Sequence, residues 1–283
     1  MIRILTDSAS DILPAEAEQL GVTVIPLNVT LEDSTVLRDG VDMTPTEYYG
    51  ILAGCHKLPT TSQPSPELFE NFFTEAAAAG DEVIGIFLSH ELSGTYQCAK
   101  LAADLANVDN VVFVDSTNVC LGEALLVRLA VHLRDIGKSA VQIAATLEHA
   151  KEHLHLVAVI DDLKYLRKGG RISGASALVG SLLQIKPILR GNEEGKIVLF
   201  DKTRGKLRAI ERLVSIYKER AIDLDDLIGI SHGDCPGEAL RLETKLREAG
   251  HRGPILLVPH EPVTGAHVGP GMLSLYFHAV GKS

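Results

Sequence analysis

Hydroxyl side chains gather at two places in this sequence and an imidazole stands at a third. The stretch "FLSHELSGTYQ", residues 87 to 97, ends an apolar run with Ser89, His90, Glu91 and Ser93. Ser93 stands where a helix N-cap belongs, with Gly94 after it. Ligands of open α/β sheets bind beyond the carboxyl ends of strands, and backbone N–H groups at a helix start attract anions. Ser93 with the amides around Gly94 and Thr95 is therefore a candidate anion seat, although a serine there also caps its own helix, and this segment alone leaves both roles open. A nucleophilic Ser93 is the weaker reading. Glu91 to Thr95 lacks the Gly-x-Ser-x-Gly spacing of a hydrolase elbow, and His90 is too near in sequence to be assigned as its base.

A second hydroxyl cluster, "TTSQPSP" at 60–66, lies in a stretch where Pro59, Pro64 and Pro66 restrict the backbone, so Thr61 and Ser62 are presented in a fixed direction or simply form a turn. In "EPVTGAHVGPGM", 261–272, glycines on either side of His267 permit close backbone approach to a ligand, and the imidazole can donate a hydrogen bond to an anion. A lone histidine is otherwise a packed one. The stretch "LKYLRKGGRISGASALVGSLLQIKPILRG", 163–191, reads as a cationic turn with Lys164, Arg167, Lys168 and Arg171, bent at Gly169-Gly170, before a long apolar helix with Leu178, Leu182, Leu183 and Ile185. Two "GKS" triplets, at 137–139 and 281–283, lack the earlier glycine of a phosphate loop, with His132 and Tyr276 in its place, so no nucleotide or other cofactor is expected.

Composition narrows the classes further. A formal net charge of -10 argues against a nucleic-acid binder, whose affinity rests on cationic side chains displacing counterions. Cys55, Cys98, Cys120 and Cys235 are widely spaced and form no Cys-x-x-Cys, so neither a metal site nor a redox motif is expected; they read as small buried residues in a reducing cytosol. No window approaches the ~20 apolar residues of a membrane span, and "MIRILTDSAS" lacks the apolar core of a signal peptide, so a cytoplasmic protein is expected.

The elements that must position these groups follow from periodicity. Short β-branched runs at 2–5, 22–27, 82–88, 110–115 and 155–160 alternate with helical patterns, which predicts βαβ units and a mostly parallel sheet covered on both faces. Ser65 with Pro66 predicts a helix start and Gly80 its end; Ser139 and Gln142 have capping-box spacing. Strands at 196–202, 227–231, 254–259 and 273–280 with amphipathic helices at 204–221 and 237–250 predict a second, two-layer α/β domain. With 283 residues, 46% of them hydrophobic, two domains are expected, 1–155 and 156–283.

Taken in order, "TDSASD", "TSQPS", "LSGTYQ", "VDS", "YLRKGGRIS", "LLQIKPIL" and "HVGPG" resemble the DegV family of bacterial fatty-acid-binding proteins, from residue 4 to about 275. The resemblance implies an N-terminal three-layer α/β/α domain with a parallel sheet, a C-terminal mixed α/β domain, and an acyl chain held between them. It further implies presentation of the fatty acid to a separate kinase subunit that makes acyl phosphate for phospholipid synthesis, the protein itself not being an enzyme. Motif by motif, the carboxylate would contact Thr61, Ser62, Ser93, the Gly94 amide and His267, with Arg171 near the head group and Lys168 and Arg204 facing the partner. The sequence departs from the family pattern at His90 and Ser274, where a serine and a glycine are common; His90 would change the polarity of the pocket mouth and Ser274 only local packing. Two competing readings are a serine esterase or thioesterase using Ser93 and His267, and a small-substrate subunit like that of the dihydroxyacetone kinases, whose fold is related and whose histidine holds substrate covalently.

Overall fold

The computed structural model describes residues 1–172 and 184–281. Strands β1 (Ile2–Asp7), β2 (Val22–Ile25), β6 (Glu82–Phe87) and β7 (Val111–Asp115) form a wholly parallel sheet in the order β2-β1-β6-β7. Period-two alternation places Leu5, Val83 and Phe87 against α3 (Pro66–Ala78) and α4 (Thr95–Leu105), and Ile4, Ile84 and Ile86 against α1 (Pro14–Leu20), α5 (Leu121–Asp135) and α6 (Ala140–Ala150). These are the expected three layers.

A second, six-stranded sheet has the order β10-β9-β8-β13-β11-β12, built from β8 (Leu154–Val159), β9 (Ile185–Gly191), β10 (Ile197–Arg204), β11 (Ile228–His232), β12 (Ile255–Pro259) and β13 (Leu273–His278). Only β11 and β12 run parallel; the other pairs are antiparallel. One face buries Val157, Ile188, Ile230, Leu275 and Phe277 under α8 (Lys206–Arg220) and α9 (Pro236–Glu248). The other face, with Leu156, Ala158, Leu189 and Tyr276, shares one apolar cluster with α5 and the parallel sheet. Helix α5 thus lies between the two sheets, which explains why Leu121, Ala124, Leu125, Leu126 and Val127 are all buried around its circumference.

Several expectations are corrected. The run at 155–160 belongs to the mixed sheet, antiparallel to both neighbours, because a strand buried at every position carries no signal of its partner's direction. The cationic turn at 164–171 is a short helix, α7 (Lys164–Gly169), with Arg167 and Lys168 in its last turn and Gly170 closing it at φ 68°. The expected long apolar helix with Leu178, Leu182 and Leu183 lies outside the described residues, whereas Ile185 opens strand β9. Residues 60–62 are not a proline-held loop but strand β5 (Thr60–Ser62), paired with β3 (Asn28–Thr30), which also pairs with β4 (Val36–Arg38). Strands of three residues are too short for a periodicity signal. The helix α2 (Pro45–Gly54), with its Thr44–Glu47 capping box, completes this region.

The expected capping box at Ser139 and Gln142 is present at α6. Ser65 is the N-cap of α3 with Pro66 first in the helix, but its side chain makes no capping bond.

Candidate functional site

The site begins with buried carboxylates that hold its parts in place. Asp7, at the end of β1, accepts from the Ala9 amide at 2.9 Å and the Leu88 amide at 3.0 Å, so it fixes the start of the 88–94 loop. Asp11 accepts from the Glu261 amide at 3.1 Å and is bonded to His260 Nδ1 at 2.9 Å; Asp39 accepts from the Val263 amide at 2.9 Å. These two acceptors satisfy free donors at the start of α10 (Pro262–Val268) and tie that helix to the parallel-sheet side of the molecule. The acidic residues of "TDSASD" are therefore struts. Burial pushes Asp7 and Asp39 up to about 7 and, aided by nearby Asp39 and Asp11, Glu261 up to about 8.

Helix α10 carries His267 in its last turn, where Nε2 lies 2.7 Å from Thr61 Oγ1 of β5. Burial, with help from the Arg171 charge, lowers the His267 pKa to about 4, so the ring is neutral near pH 7; its Nδ1 has no partner among the described residues. Gly169 makes room for it: a Cβ there would meet Nδ1 at 2.2 Å. The glycines around His267 serve packing rather than ligand approach, a correction. A Cβ at Gly265 would meet Tyr48 at 2.8 Å and Tyr49 at 3.0 Å, and one at Gly269 would meet the Tyr165 ring at 2.2 Å.

Across from His267, the 88–94 loop presents Ser93. The N-cap of α4 is Gly94, one residue later than expected, and Ser93 Oγ instead accepts from the Thr95 amide at 3.3 Å and lies 2.9 Å from Thr95 Oγ1. The Thr95 amide is thus already spent. The Gln63 side chain covers Gly94, where a Cβ would meet its Oε1 at 2.2 Å. Arg171 reaches the same loop, donating through Nε to the Leu92 carbonyl at 3.1 Å and through Nη1 to the Gly169 carbonyl.

Thr61, Ser62, Gln63, Ser93, Arg171 and His267 line one cavity of about 840 Å³ of space free of protein atoms, mouth included. The rest of its wall is largely apolar and comes from both sheets' sides, with Leu27 and Leu88 from one and Leu156, Ala158, Leu189 and Ile197 from the other. Five of the residues singled out in sequence thus share the cavity wall, and Gly94 adjoins them under Gln63. Lys168 and Arg204 do not join them: Lys168 is exposed and donates to the Leu58 carbonyl at 3.2 Å, and Arg204 is exposed at the end of β10, opposite Ile185. His90 does not line the cavity either; it turns to Asp115 Oδ2 and, at 3.5 Å, to Glu91. Ser274 is fully buried, donating to the Ser231 carbonyl at 3.1 Å and lying 3.4 Å from His260 Nε2. The Ser274–His260–Asp11 chain has the order of a catalytic triad, yet none of the three reaches the cavity. Gln63 and the apolar wall were not singled out from the sequence, because Gln63 is an exposed amide between β5 and α3 and each wall residue reads as one more apolar side chain of its own element.

Chemically, the arrangement offers hydroxyl, amide and guanidinium donors beside a neutral imidazole at the polar part of an apolar cavity, which suits an amphiphile with an anionic head. Ser93 is bonded to Thr95 and His267 to Thr61, so no described hydrogen bond pairs Ser93 with His267 as nucleophile and base.

A family model described as an uncharacterised protein of the DegV family matches residues 1–280. A DegV domain-containing protein of Caldanaerobacter subterraneus subsp. tengcongensis is 33% identical over 277 residues, covering 98% of this chain and 98% of its own length. Among solved structures, a DegV family protein from Thermus thermophilus described by its fatty acid binding superposes with a TM-score of 0.90 at 31% identity, covering 99% of each chain. A fatty-acid-binding DegV family protein from Streptococcus agalactiae superposes at 0.89 with 30% identity and 98% of each chain. The two sheets, the order of the motifs and a match running nearly end to end agree, and the chain belongs to the DegV family.

Proposed function

We propose that this protein binds one long-chain fatty acid between an N-terminal domain, 1–155, and a C-terminal domain, 156–283, with the carboxylate among Thr61, Ser62, Ser93, the Gly94 amide, His267 and Arg171. The observation that carries the reading is a cavity of largely apolar wall that also takes in Thr61 and His267, 2.7 Å apart, with Ser62, Ser93 and Arg171. A carboxylate there gains charge-assisted hydrogen bonds, and one left unpaired against the apolar wall would be costly. The tail supplies the affinity: a sixteen-carbon chain buries roughly fourteen methylenes at about 0.8 kcal/mol each, or about 11 kcal/mol before ordering and association costs. Fatty-acid binding by the Thermus and Streptococcus proteins supports the same reading.

The protein acts as a carrier and not as an enzyme, and it hands the bound acid to a fatty acid kinase for acyl phosphate formation on the way to phospholipid. Exposed Lys168 and Arg204 suit an acidic partner surface. Protein purified from a bacterial host is expected to release a stoichiometric acyl species on solvent extraction and mass spectrometry. Extracts without one, together with no binding of added palmitate or oleate, would falsify the carrier. A covalent serine probe tests the esterase reading in the same preparation; labelling of Ser93 would replace carriage with turnover.

A further inference from the structure

The cavity wall carries a donor that the head-group seat does not use. Tyr276 of β13 lines the cavity and is fully buried; its hydroxyl makes no hydrogen bond of ordinary geometry among the described residues, and the Ser274 hydroxyl and the Cys120 thiol are the polar side chains that interact with it. Buried tyrosine hydroxyls almost always find a partner, because an unmade bond in an apolar setting is expensive. Burial also raises the Tyr276 pKa well above its ordinary value, so the phenol keeps its proton and remains a donor.

Two more polar side chains border the same wall. Cys120 and Thr264 both line the cavity, with Sγ and Oγ1 3.5 Å apart. Around these three the wall is apolar, with Leu156, Ala158, Leu189, Val268 and Met272. Of the polar groups behind the wall, Ser274 donates its proton to the Ser231 carbonyl and Asp11 is bonded to His260. Tyr276 is therefore part of a polar island in a surface otherwise suited to hydrocarbon. Thr264 lies three residues before His267 on α10, about 4.5 Å along the helix axis, so the island begins a little under one helical turn from the head-group seat.

We propose that the cavity is matched to an oxygenated fatty acid, one whose chain carries a hydroxyl or keto oxygen that accepts the hydrogen bond of Tyr276 beside Cys120 and Thr264. This rests on the fatty-acid reading above and names a substrate class within it. A plain saturated chain fills the same space but leaves the phenol only the Ser274 hydroxyl and the Cys120 thiol, neither in hydrogen-bonding geometry, whereas an oxygen at the right carbon meets it directly, a difference of about tenfold in affinity for one hydrogen bond to a buried donor.

The test uses delipidated full-length protein and displacement titrations with stearate, 3-hydroxystearate, 10-hydroxystearate and 12-hydroxystearate. The expected result is that at least one hydroxy acid binds about tenfold more tightly than stearate, and that Tyr276→Phe removes the difference. Thr264→Val, which keeps the side-chain volume, is expected to narrow it and serves as the second variant should Tyr276→Phe fold poorly. Two results overturn the proposal while leaving the fatty-acid carrier standing: stearate binding as tightly as every hydroxy acid, which is also the outcome if an ordered water satisfies the phenol, or an advantage that survives unchanged in Tyr276→Phe. Failure of all four acids to bind overturns both readings.

Discussion

Thr61 and His267 are 206 positions apart in the chain, yet their side chains share a hydrogen bond, and the proposed carboxylate seat depends on that meeting. Removing two of its hydroxyls tests it. Thr61→Val with Ser93→Ala is expected to weaken fatty-acid binding by roughly 2–5 kcal/mol, the range for a buried charge deprived of partners, as read by calorimetry on delipidated protein. Unchanged affinity would put the carboxylate elsewhere. The sequence made these hydroxyls visible as a cluster beside prolines and as a serine near a helix start. It misjudged the device in each case: Thr61 is aimed by pairing with Val29 in a short sheet, and Ser93 engages Thr95 without being the N-cap. Neither fact can be read locally, because one depends on a strand more than thirty residues away and the other on a one-residue shift in where α4 begins.

At the scale of elements, α10 is held at its start by carboxylates and pressed near its end against α7. The close approach of Gly169 to His267 makes Gly169→Ala informative: the added methyl must displace the imidazole, and fatty-acid affinity is expected to fall about tenfold while the thermal midpoint changes little. Affinity equal to wild type would mean that the ring position does not matter. The other end of α10 predicts a pH dependence. Asp39 faces Ser8, the Val263 amide, Asp11, Asp7 and Glu261, and its Oδ2 makes no hydrogen bond of ordinary geometry among the described residues. Its folded pKa of about 7, like that of Asp7 and the value of about 8 for Glu261, lies above the unfolded carboxylate value near 4. The folded state therefore binds more protons in that window, and stability from these groups is full below about pH 4 and lost as pH rises to about 8. His267 works in the opposite direction: its folded pKa of about 4 is below the unfolded value near 6.5, so its contribution is complete above about pH 6.5 and lost as pH falls towards 4. Of these four groups only the carboxyls still titrate above about pH 7, so the thermal midpoint of the lipid-free protein is expected to drop between about pH 7 and 8.5, and Asp39→Asn to reduce that drop. A midpoint that rises over the interval, or a slope unaltered in the variant, would contradict the assignment.

For the whole molecule, holding a lipid and delivering it should depend on different residues. Arg171 lines the cavity, whereas Lys168 and Arg204 are exposed and outside it; Lys206 is paired with Asp161 at 2.9 Å. Lys168→Glu with Arg204→Glu is expected to leave fatty-acid affinity within a few-fold of wild type and to lower acyl phosphate formation by a cognate kinase at least tenfold at physiological salt. Turnover equal to wild type would make these two residues an ordinary solvated surface. Binding lost along with turnover would mean that they support the cavity.

The sequence by itself determined the parallel sheet, the two amphipathic helices covering the mixed sheet, and the hydroxyls and histidine of the candidate seat. Strands of five or six residues with β-branched runs and helices with caps write a periodicity into the chain, and a polar cluster beside a predicted helix start is visible without coordinates. Tertiary structure alone decided the rest. Whether β8 runs parallel or antiparallel depends on β9 and on β13, the latter more than 110 residues away, while β8 itself is buried at every position. The three-residue strand that aims Thr61 is shorter than any periodicity. The cavity belongs to no single element: Leu27, Leu156, Leu189 and Tyr276 read in sequence as ordinary core, and only where the two sheets and α10 fail to close on one another do they become the wall of a binding site.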